Sequence, residues 1–207
     1  MYRLINQHTE VILGSISPSH VTDYDWLLQN MGEAHVSDYQ RRYRGFWAMN
    51  AACLGPAFYT TYFRSLCDAR GQAPVLGSLA RTLHEASARR DGAQSLQFSF
   101  ATKLLHMTTP RIPVYDSRVA RFCFFEEPGR DLPLEERIRR LVAFHDFLIR
   151  EYARILSVGL LAPAIRAFRQ RLRPQHFSDE KIIDSLIWSF VNLLRNGALL
   201  DNRINYC

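Results

Sequence analysis

Apolar residues recur at helical spacing in nearly every segment of this chain after residue 20. The segment that begins at Ser178 has the densest pattern, formed by Ile182, Ile183, Leu186, Ile187, Phe190, Val191 and Leu194. Such spacing predicts a heavily buried helix, because positions three and four apart share one helix face. Alternating patterns typical of strands are scarce after residue 20. The sequence therefore predicts an all-α fold, preceded by a short irregular or extended segment over residues 1–20.

The same spacing predicts further helices along the chain. One is expected to start at a cap in residues 22–25, and others to cover residues 37–54, 58–69, 79–88, 97–107, 134–156 and 160–172. Residues 126–133 (EEPGRDLP) are charged and flanked by proline, which makes them the best candidate for a lobe boundary. We expect one compact unit, or two lobes (1–125 and 133–207) with the active cleft between them.

The charge of the chain favours a polyanionic partner. The net charge is +6, and of 26 basic residues only Lys103 and Lys181 are lysine, which leaves 24 arginines. Arginine suits bidentate phosphate contacts and stacking on bases. A coding bias that replaced surface lysine explains the arginine excess equally well, but it leaves the positive field in place.

Several classes of protein are disfavoured by what the sequence lacks. The four cysteines have no C-x-x-C spacing and no histidine partner pattern, so neither zinc, an iron–sulfur cluster nor a disulfide framework is expected. No signal-peptide pattern opens the sequence, and no apolar run approaches the roughly 20 residues that span a bilayer. There is no phosphate-binding glycine loop. We expect a cytoplasmic protein with no cofactor, no metal and no membrane partner.

Residues 97–122 (QFSFATKLLHMTTPRIPVYDSRVARF) carry the best candidate for chemistry. They predict a helix, a turn stiffened by Pro110 and Pro113, and a second helix that opens at Asp116. A carboxylate at such a position is held rigidly by backbone N–H groups. Asp116 is therefore either an N-cap alone or a catalytic group that must be rigid.

A second candidate feature is the aromatic and arginine-rich segment over residues 36–72. Most of its rings are expected in the core, since aromatic side chains dominate burial. One or two are candidates for a pocket that stacks on a nucleobase. Trp47 and Asn50, one helical turn apart, form the best pair, and Phe46 and Gln97 complete the expected base pocket.

The run from Ile112 to Val119 (IPVYDSRV) resembles the P-V-D-x-x-V segment of helix-hairpin-helix DNA glycosylases. The preceding SFATKLLHM is similar to the helix that follows the hairpin in oxidised-purine glycosylases and their bacterial relatives. The likeness covers about residues 75–125. It implies a helix-hairpin-helix glycosylase fold in which Asp116 supports departure of a flipped base. It also implies contacts to DNA from Lys103, Arg111, Ser117 and Arg118, with Gly92 and Ser95 at the hairpin.

Two departures from the family pattern shape the expectation. The family hairpin is usually L-P-G-x-G, whereas RDGAQS here holds one glycine. Bifunctional members carry a Schiff-base lysine at the start of the second helix, where this chain has Gln97, Phe98 and Ser99. Lys103 lies thirteen residues before Asp116 and well inside the helix, so we expect it to contact phosphate or pair with a carboxylate.

The resulting prediction is a monomeric, monofunctional DNA glycosylase that acts on double-stranded DNA and leaves an abasic site. Its target is a damaged or modified base, including bulky bases of the phage type, so both DNA repair and antiphage defence at a bacterial nucleoid are open. A non-catalytic DNA-binding module of the same fold is the alternative. A third possibility is an all-α interaction protein whose arginines are compositional. The first two predict duplex binding with a steep salt dependence, and the third does not.

Overall fold

The computed structural model describes residues 1–70, 74–87 and 94–199, and these contain eleven α-helices and no strand. The helices are α1 Tyr2–Gln7, α2 Thr9–Ser15, α3 Pro18–Gln29, α4 Ser37–Phe46, α5 Pro56–Asp68, α6 Leu76–Glu85, α7 Phe98–Thr108, α8 Ser117–Phe122, α9 Leu134–Val158, α10 Ala162–Leu172 and α11 Asp179–Arg195. Short 3₁₀ turns cover Met31–Glu33 and Met49–Ala52. The prediction of an all-α fold is confirmed.

The prediction of an irregular segment over residues 1–20 is wrong, since α1 and α2 occupy most of it. Ile5, Thr9 and Ile12 are buried and lie four and three residues apart, which is the spacing of one helix face. His8 separates the two helices. These helices are short, and their stability comes from packing against α10 and α11 rather than from their own length.

Helix α3 starts earlier than the predicted cap at residues 22–25. Pro18 occupies its first turn, and the Ser17 hydroxyl accepts a hydrogen bond from the backbone N–H of Ser19 at 3.2 Å. Proline is pre-organised for a first helical turn, and serine is a favoured N-cap. Asp25, expected in the cap, instead accepts backbone N–H bonds from Gln175 and His176, and so ties α3 to the α10–α11 connection.

Helix α4 is shorter than the predicted helix over residues 37–54. It ends at Phe46, and Ala48 adopts a left-handed conformation with φ of +52°. That conformation stops the helix, at a cost of roughly 1–2 kcal/mol for a residue with a side chain. Asn50 lies in the following 3₁₀ turn and is exposed, so it does not share a helix face with Trp47.

Helix α11 is the central element of the core. It packs against α2, α8, α9 and α10, and its N-cap is the Ser178 hydroxyl, which accepts the Lys181 N–H at 3.1 Å. Helix α3 packs against α4, and α6 packs against α7 and α9. Helices α1 and α2 pack against α10 and α11, so the first helices of the chain contact helices that follow residue 133. No helix among the described residues is long and apolar enough to cross a membrane.

Candidate functional site

A cavity of about 440 Å³ opens where five parts of the chain meet. Its wall is formed by the α2–α3 junction, the end of α4, the middle of α7, the start of α8 and one face of α11. A volume of this size is typical of small-molecule sites in proteins. The cavity therefore has room for a flat ring system together with part of a sugar.

One face of α11 supplies the deepest polar groups. Lys181, Asp184, Ser185 and Trp188 all line the cavity, and their spacing of three, one and three residues places them on a single helix face. The Lys181 ammonium lies 2.9 Å from Oδ2 of Asp184. The two residues are 2% and 6% exposed, so this is a buried ion pair. Burial raises the pKa of Asp184, while the Lys181 charge opposes that rise.

Aromatic rings surround the Lys181 ammonium. Its Nζ atom lies 4.9 Å from the centre of the Trp47 ring, 5.4 Å from that of Tyr24 and 5.9 Å from that of Phe46. The negative faces of aromatic rings attract a cation at such distances. This attraction offsets part of the cost of removing the ammonium from water.

Lys103 projects from α7 into the same cavity and is buried. Its Nζ atom donates to the carbonyl oxygen of Trp47 at 3.3 Å. That carbonyl lies at the C-terminal end of α4, where the helix offers it no further backbone donor. Burial lowers the pKa of the Lys103 amine to about 8, and the carboxylates of Asp116 and Asp184 oppose that shift. An amine with such a pKa is neutral in about one tenth of molecules at pH 7.

Asp116 is both an N-cap and part of the cavity wall. Its Oδ1 atom accepts the backbone N–H of Arg118 at 2.9 Å, as predicted for a cap. The same oxygen lies 3.9 Å from Nη1 of Arg118, and the side chain is 22% exposed toward the cavity. The preceding residue is anchored because the Tyr115 N–H donates to Oγ1 of Thr102 on α7. The carboxylate is therefore held by the start of α8, and the residue before it is anchored to α7.

Part of the cavity wall is aromatic. Trp47 is 6% exposed and meets Phe46 edge-on at 4.8 Å, while the His20 ring stacks on Phe46 at 4.9 Å. Burial, with the nearby Lys181 charge, lowers the pKa of His20 to about 3, so this ring is neutral at pH 7. The wall therefore presents uncharged ring surfaces to a bound ligand.

Trp188 and Arg118 lie together at the mouth of the cavity. The Arg118 guanidinium carbon lies 4.6 Å from the centre of the Trp188 ring, which is 40% exposed. Planar guanidinium groups stack well on aromatic faces. This pair offers a ring surface and a positive charge at the place where a ligand would enter.

Five of the predicted site residues line the cavity, namely Phe46, Trp47, Lys103, Asp116 and Arg118. The Lys103 amine is buried and donates to the Trp47 carbonyl, and its expected contact with a phosphate stays a prediction. Its nearest carboxylates contribute charge and no hydrogen bond.

The other predicted site residues lie elsewhere. Gln97 lines a separate cavity of about 150 Å³ and donates to the hydroxyl of Ser95, whose backbone bonds to the Ser87 side chain. Arg111 and Ser117 are exposed. These four residues and Asn50 are not part of the 440 Å³ cavity. Gly92 lies outside the described residues, so its place at the hairpin stays a prediction.

Sequence reasoning missed Lys181, Asp184, Trp188 and His20. A usable signal was present, because the only two lysines of an arginine-rich chain both line this cavity. A compact ammonium packs inside a protein and shifts its pKa more readily than a guanidinium does. The two lysines therefore indicated positions at which a compact ammonium is needed in place of a guanidinium.

No group of three or more histidine, cysteine, aspartate or glutamate side chains suited to a metal ion occurs within residues 1–70, 74–87 and 94–199. Comparison with protein-family models, with curated proteins and with solved structures found no match to this chain. The candidate function therefore rests on the cavity itself and on the sequence resemblance.

Proposed function

We propose that the protein is a DNA glycosylase that binds duplex DNA, flips a damaged or modified base into the 440 Å³ cavity and excises it, leaving an abasic site. The observation that carries the proposal is the meeting of Asp116 and Trp47 in one cavity. A rigid carboxylate and a buried ring surface are the two groups that base excision needs, one beside the sugar and one beside the base.

The chemistry assigns separate tasks to the two sides of the cavity. As the bond from C1′ to the base breaks, its electron pair leaves with the base and positive charge develops on the deoxyribose. The Asp116 carboxylate stabilises that charge. A water molecule then adds to C1′, and its proton ends on the departing base. Aromatic surfaces at Trp47 and Phe46 hold the flipped ring.

Charge supports DNA as the partner. The chain carries a net charge of +6, and Arg118 places a guanidinium at the mouth of the cavity. Phosphate neutralisation by arginine supplies most sequence-independent affinity for DNA. A flipped nucleotide would bring its own phosphates to this mouth.

The test uses duplex oligonucleotides, each with one modified base, and counts abasic sites by alkaline cleavage. The panel includes oxidised purines, deaminated bases and bulky 5-substituted pyrimidines. Wild-type protein should convert at least one of them, and Asp116→Asn should slow that conversion by roughly a hundredfold or more while duplex affinity changes by less than about twofold. Asp146→Asn, a change of an exposed carboxylate on α9, is the matched control. Equal rates for wild type and D116N would overturn the proposal.

A non-catalytic DNA-binding module remains the competing function. It predicts duplex binding by wild type and D116N alike, with no abasic sites on any member of the panel. The two functions therefore differ in product formation and not in affinity.

The placement of Lys103 favours a second candidate activity, in which the glycosylase also acts as a lyase. A neutral amine can attack C1′ and expel the base with its electron pair. One proton of the attacking nitrogen passes to the departing base. The C1′–O4′ bond of the sugar then breaks with its electron pair on O4′, which takes up the second nitrogen proton, and an imine forms between Nζ and C1′. The lowered pKa of Lys103 and its place in the cavity suit this role, although the sequence predicted a monofunctional enzyme.

Borohydride separates the two activities, because it reduces the imine and locks protein to DNA. A monofunctional enzyme gives no trapped complex and no strand cleavage without alkali. A trapped complex that increases between pH 7 and pH 9, as the Lys103 amine loses its proton, and that disappears in Lys103→Gln would establish the lyase. Persistence of the complex in K103Q would exclude Lys103 as its source.

A further inference from the structure

One face of α11 continues from the cavity wall onto the surface of the protein. Lys181, Asp184, Trp188, Asn192 and Arg195 lie three or four residues apart, which places them on the same side of the helix. Lys181 and Asp184 are 2% and 6% exposed, whereas Trp188 is 40% exposed. Arg195, at the end of the helix, is exposed. The face that lines the cavity therefore extends beyond it, and Trp188 lies where the cavity meets the surface.

Trp188 is a large aromatic residue in an exposed position. Of the exposed large apolar side chains in residues 1–70, 74–87 and 94–199, only that of Trp188 lines the 440 Å³ cavity. The Arg118 guanidinium lies over the ring and leaves part of it open to solvent. Aromatic rings beside positive charge are the surfaces on which unpaired nucleic-acid bases stack. The position of Trp188 therefore suits a partner with flat rings and negative charge.

Arg118 joins α8 to this face of α11. Its Nε atom donates to Oδ1 of Asn192 at 2.5 Å, its guanidinium stacks on Trp188, and its Nη1 atom lies 3.9 Å from Oδ1 of Asp116. A guanidinium has five N–H donors, and the bond to Asn192 uses one of them. The side chain is fixed by its neighbours and is still 29% exposed. It can therefore bind a phosphate with little further loss of conformational entropy.

Two exposed arginines extend the positive charge away from the cavity. Arg121 lies three residues after Arg118 on α8, and Arg195 lies seven residues after Trp188 on α11. Helix α8 packs directly against α11, so both arginines belong to one corner of the protein. The rise of an α-helix places Arg195 about 10 Å beyond Trp188. A DNA strand carries one phosphate about every 3.4 Å along its axis, so this distance corresponds to about three phosphates.

We propose that the surface formed by Trp188, Arg118, Arg121 and Arg195 binds the DNA strand that carries the flipped nucleotide. The open part of the Trp188 ring stacks on the base next to that nucleotide. Arg118 binds a phosphate at the cavity mouth, and Arg121 and Arg195 bind phosphates farther along the strand. This inference rests on the proposed function, because it places the strand around the nucleotide that enters the cavity.

The first test measures stacking by affinity. The probes are a duplex with one tetrahydrofuran residue, a stable analogue of an abasic site, and the same duplex without it. Trp188→Ala should weaken binding to the tetrahydrofuran duplex roughly tenfold, because the stacking on one base is lost. Trp188→Phe keeps a ring and should retain most of the affinity. Phe147→Ala, a change at a similarly exposed ring on α9, should behave as wild type. A cooperative thermal transition confirms that each variant is folded.

The arginines are tested by the salt dependence of the same binding. Arg121→Gln and Arg195→Gln should each reduce the slope of log affinity against log salt by about one, because each variant loses one phosphate contact. Arg150→Gln changes the net charge equally at an exposed position of α9. This control should keep the wild-type slope.

Photocrosslinking identifies the stacked base. One thymine beside the tetrahydrofuran residue is replaced by 5-iodouracil, on the 5′ side in one duplex and on the 3′ side in another. After irradiation and digestion, mass spectrometry should find the crosslink in the peptide that contains Trp188. The W188A variant should lose this product.

Wild-type affinity in W188A, wild-type slopes in R121Q and R195Q, or a crosslink only to another part of the chain would overturn the proposal. Tighter binding to an RNA duplex of the same sequence would overturn the choice of DNA as the partner. Failure of this inference is distinct from failure of the proposed function. Abasic-site formation with unchanged binding in these variants would keep the glycosylase and remove this surface. Weakened binding in the variants, without abasic sites from wild type, would keep the surface and remove the catalysis.

Discussion

The ammonium of Lys181 and the carboxylate of Asp184, one turn apart on α11, form an ion pair of 2.9 Å that is almost completely withdrawn from solvent. One oxygen of the carboxylate accepts a hydrogen bond from the lysine, and the other is buried without a hydrogen-bond partner among the described residues. Both residues line the candidate site, so the central helix of the core also forms part of the cavity wall.

The first prediction concerns the stability of this pair. Lys181→Met alone or Asp184→Leu alone leaves one uncompensated buried charge, so each should lower the free energy of unfolding by about 3–5 kcal/mol. The double variant removes both charges and should lie much closer to wild type. Urea unfolding of the four proteins measures the coupling. Additive losses in the double variant would contradict a coupled pair.

A second prediction concerns the loss of folding stability at acidic pH. His106 donates from Nδ1 to the Ile112 carbonyl at 2.7 Å, and its Nε2 accepts the Tyr24 hydroxyl at 2.6 Å, which is the arrangement of a neutral ring. Burial and the Lys181 charge lower the pKa of His106 from 6.5 to about 3. Between these two values the unfolded chain binds the extra proton and the folded chain does not. His106 therefore supports stability above about pH 6.5 and withdraws that support as the pH falls toward 3.

Urea unfolding at pH 7, 5.5 and 4 tests this dependence. His106 should contribute a slope of up to about 1.4 kcal/mol per pH unit in that range. His106→Gln should be less stable at pH 7 and flatter in acid, whereas His35→Gln, a change at an exposed histidine, should follow wild type. Parallel curves for H106Q and wild type would show that the ring does not resist protonation.

A third prediction separates the two roles of Asp116. Asparagine is as good an N-cap as aspartate, and alanine is not. Asp116→Ala should lose about 1 kcal/mol of stability, and Asp116→Asn should lose much less, since its side-chain oxygen still reaches the Arg118 N–H. Thermal unfolding checks this, with the exposed neighbour Ser117→Ala as control. A D116N variant as unstable as D116A would mean that charge, and not the cap, holds this corner together.

The fourth prediction concerns the salt dependence of binding to DNA. If Arg111, exposed between α7 and α8, neutralises one DNA phosphate, then Arg111→Gln should weaken binding to any duplex and reduce the slope of log affinity against log salt by about one. Arg139→Gln on α9, whose guanidinium is paired with Glu136, is the matched control. Fluorescence anisotropy from 50 to 300 mM salt gives both slopes. Identical slopes for R111Q and wild type would exclude Arg111 from the DNA contact.

The helices could be predicted from the sequence where one face is apolar and the ends are marked. Helix α11 has Ser178 as cap and an unbroken apolar pattern, and α9 follows the same rule, so both were predicted closely. The end of α4 could not be predicted, because Ala48 adopts a conformation that alanine disfavours. No local signal in the sequence predicts that conformation.

The residues of the candidate site also divide into those that the sequence could predict and those that it could not. Asp116 was accessible to sequence reasoning because cap position and family resemblance coincide on one residue. Asp184 could not be predicted as a site residue. A carboxylate in an apolar helix is expected to be solvated until the packing of both helix faces is known. The partnership of Lys103 with the Trp47 carbonyl spans 56 residues and depends on where α4 ends. Long-range contacts of this kind arise from the fold and not from spacing.

The order of the wall elements along the chain has a consequence for synthesis. The α2–α3 junction and α11 both line the cavity, and all other wall residues lie between them in the sequence. A ribosome therefore makes the α11 part of the wall after every other part. Until residues 179–195 emerge, the nascent polypeptide has Asp116 and Trp47 but lacks the α11 wall of the cavity, so the proposed site is incomplete. The cavity would be complete only after that helix docks.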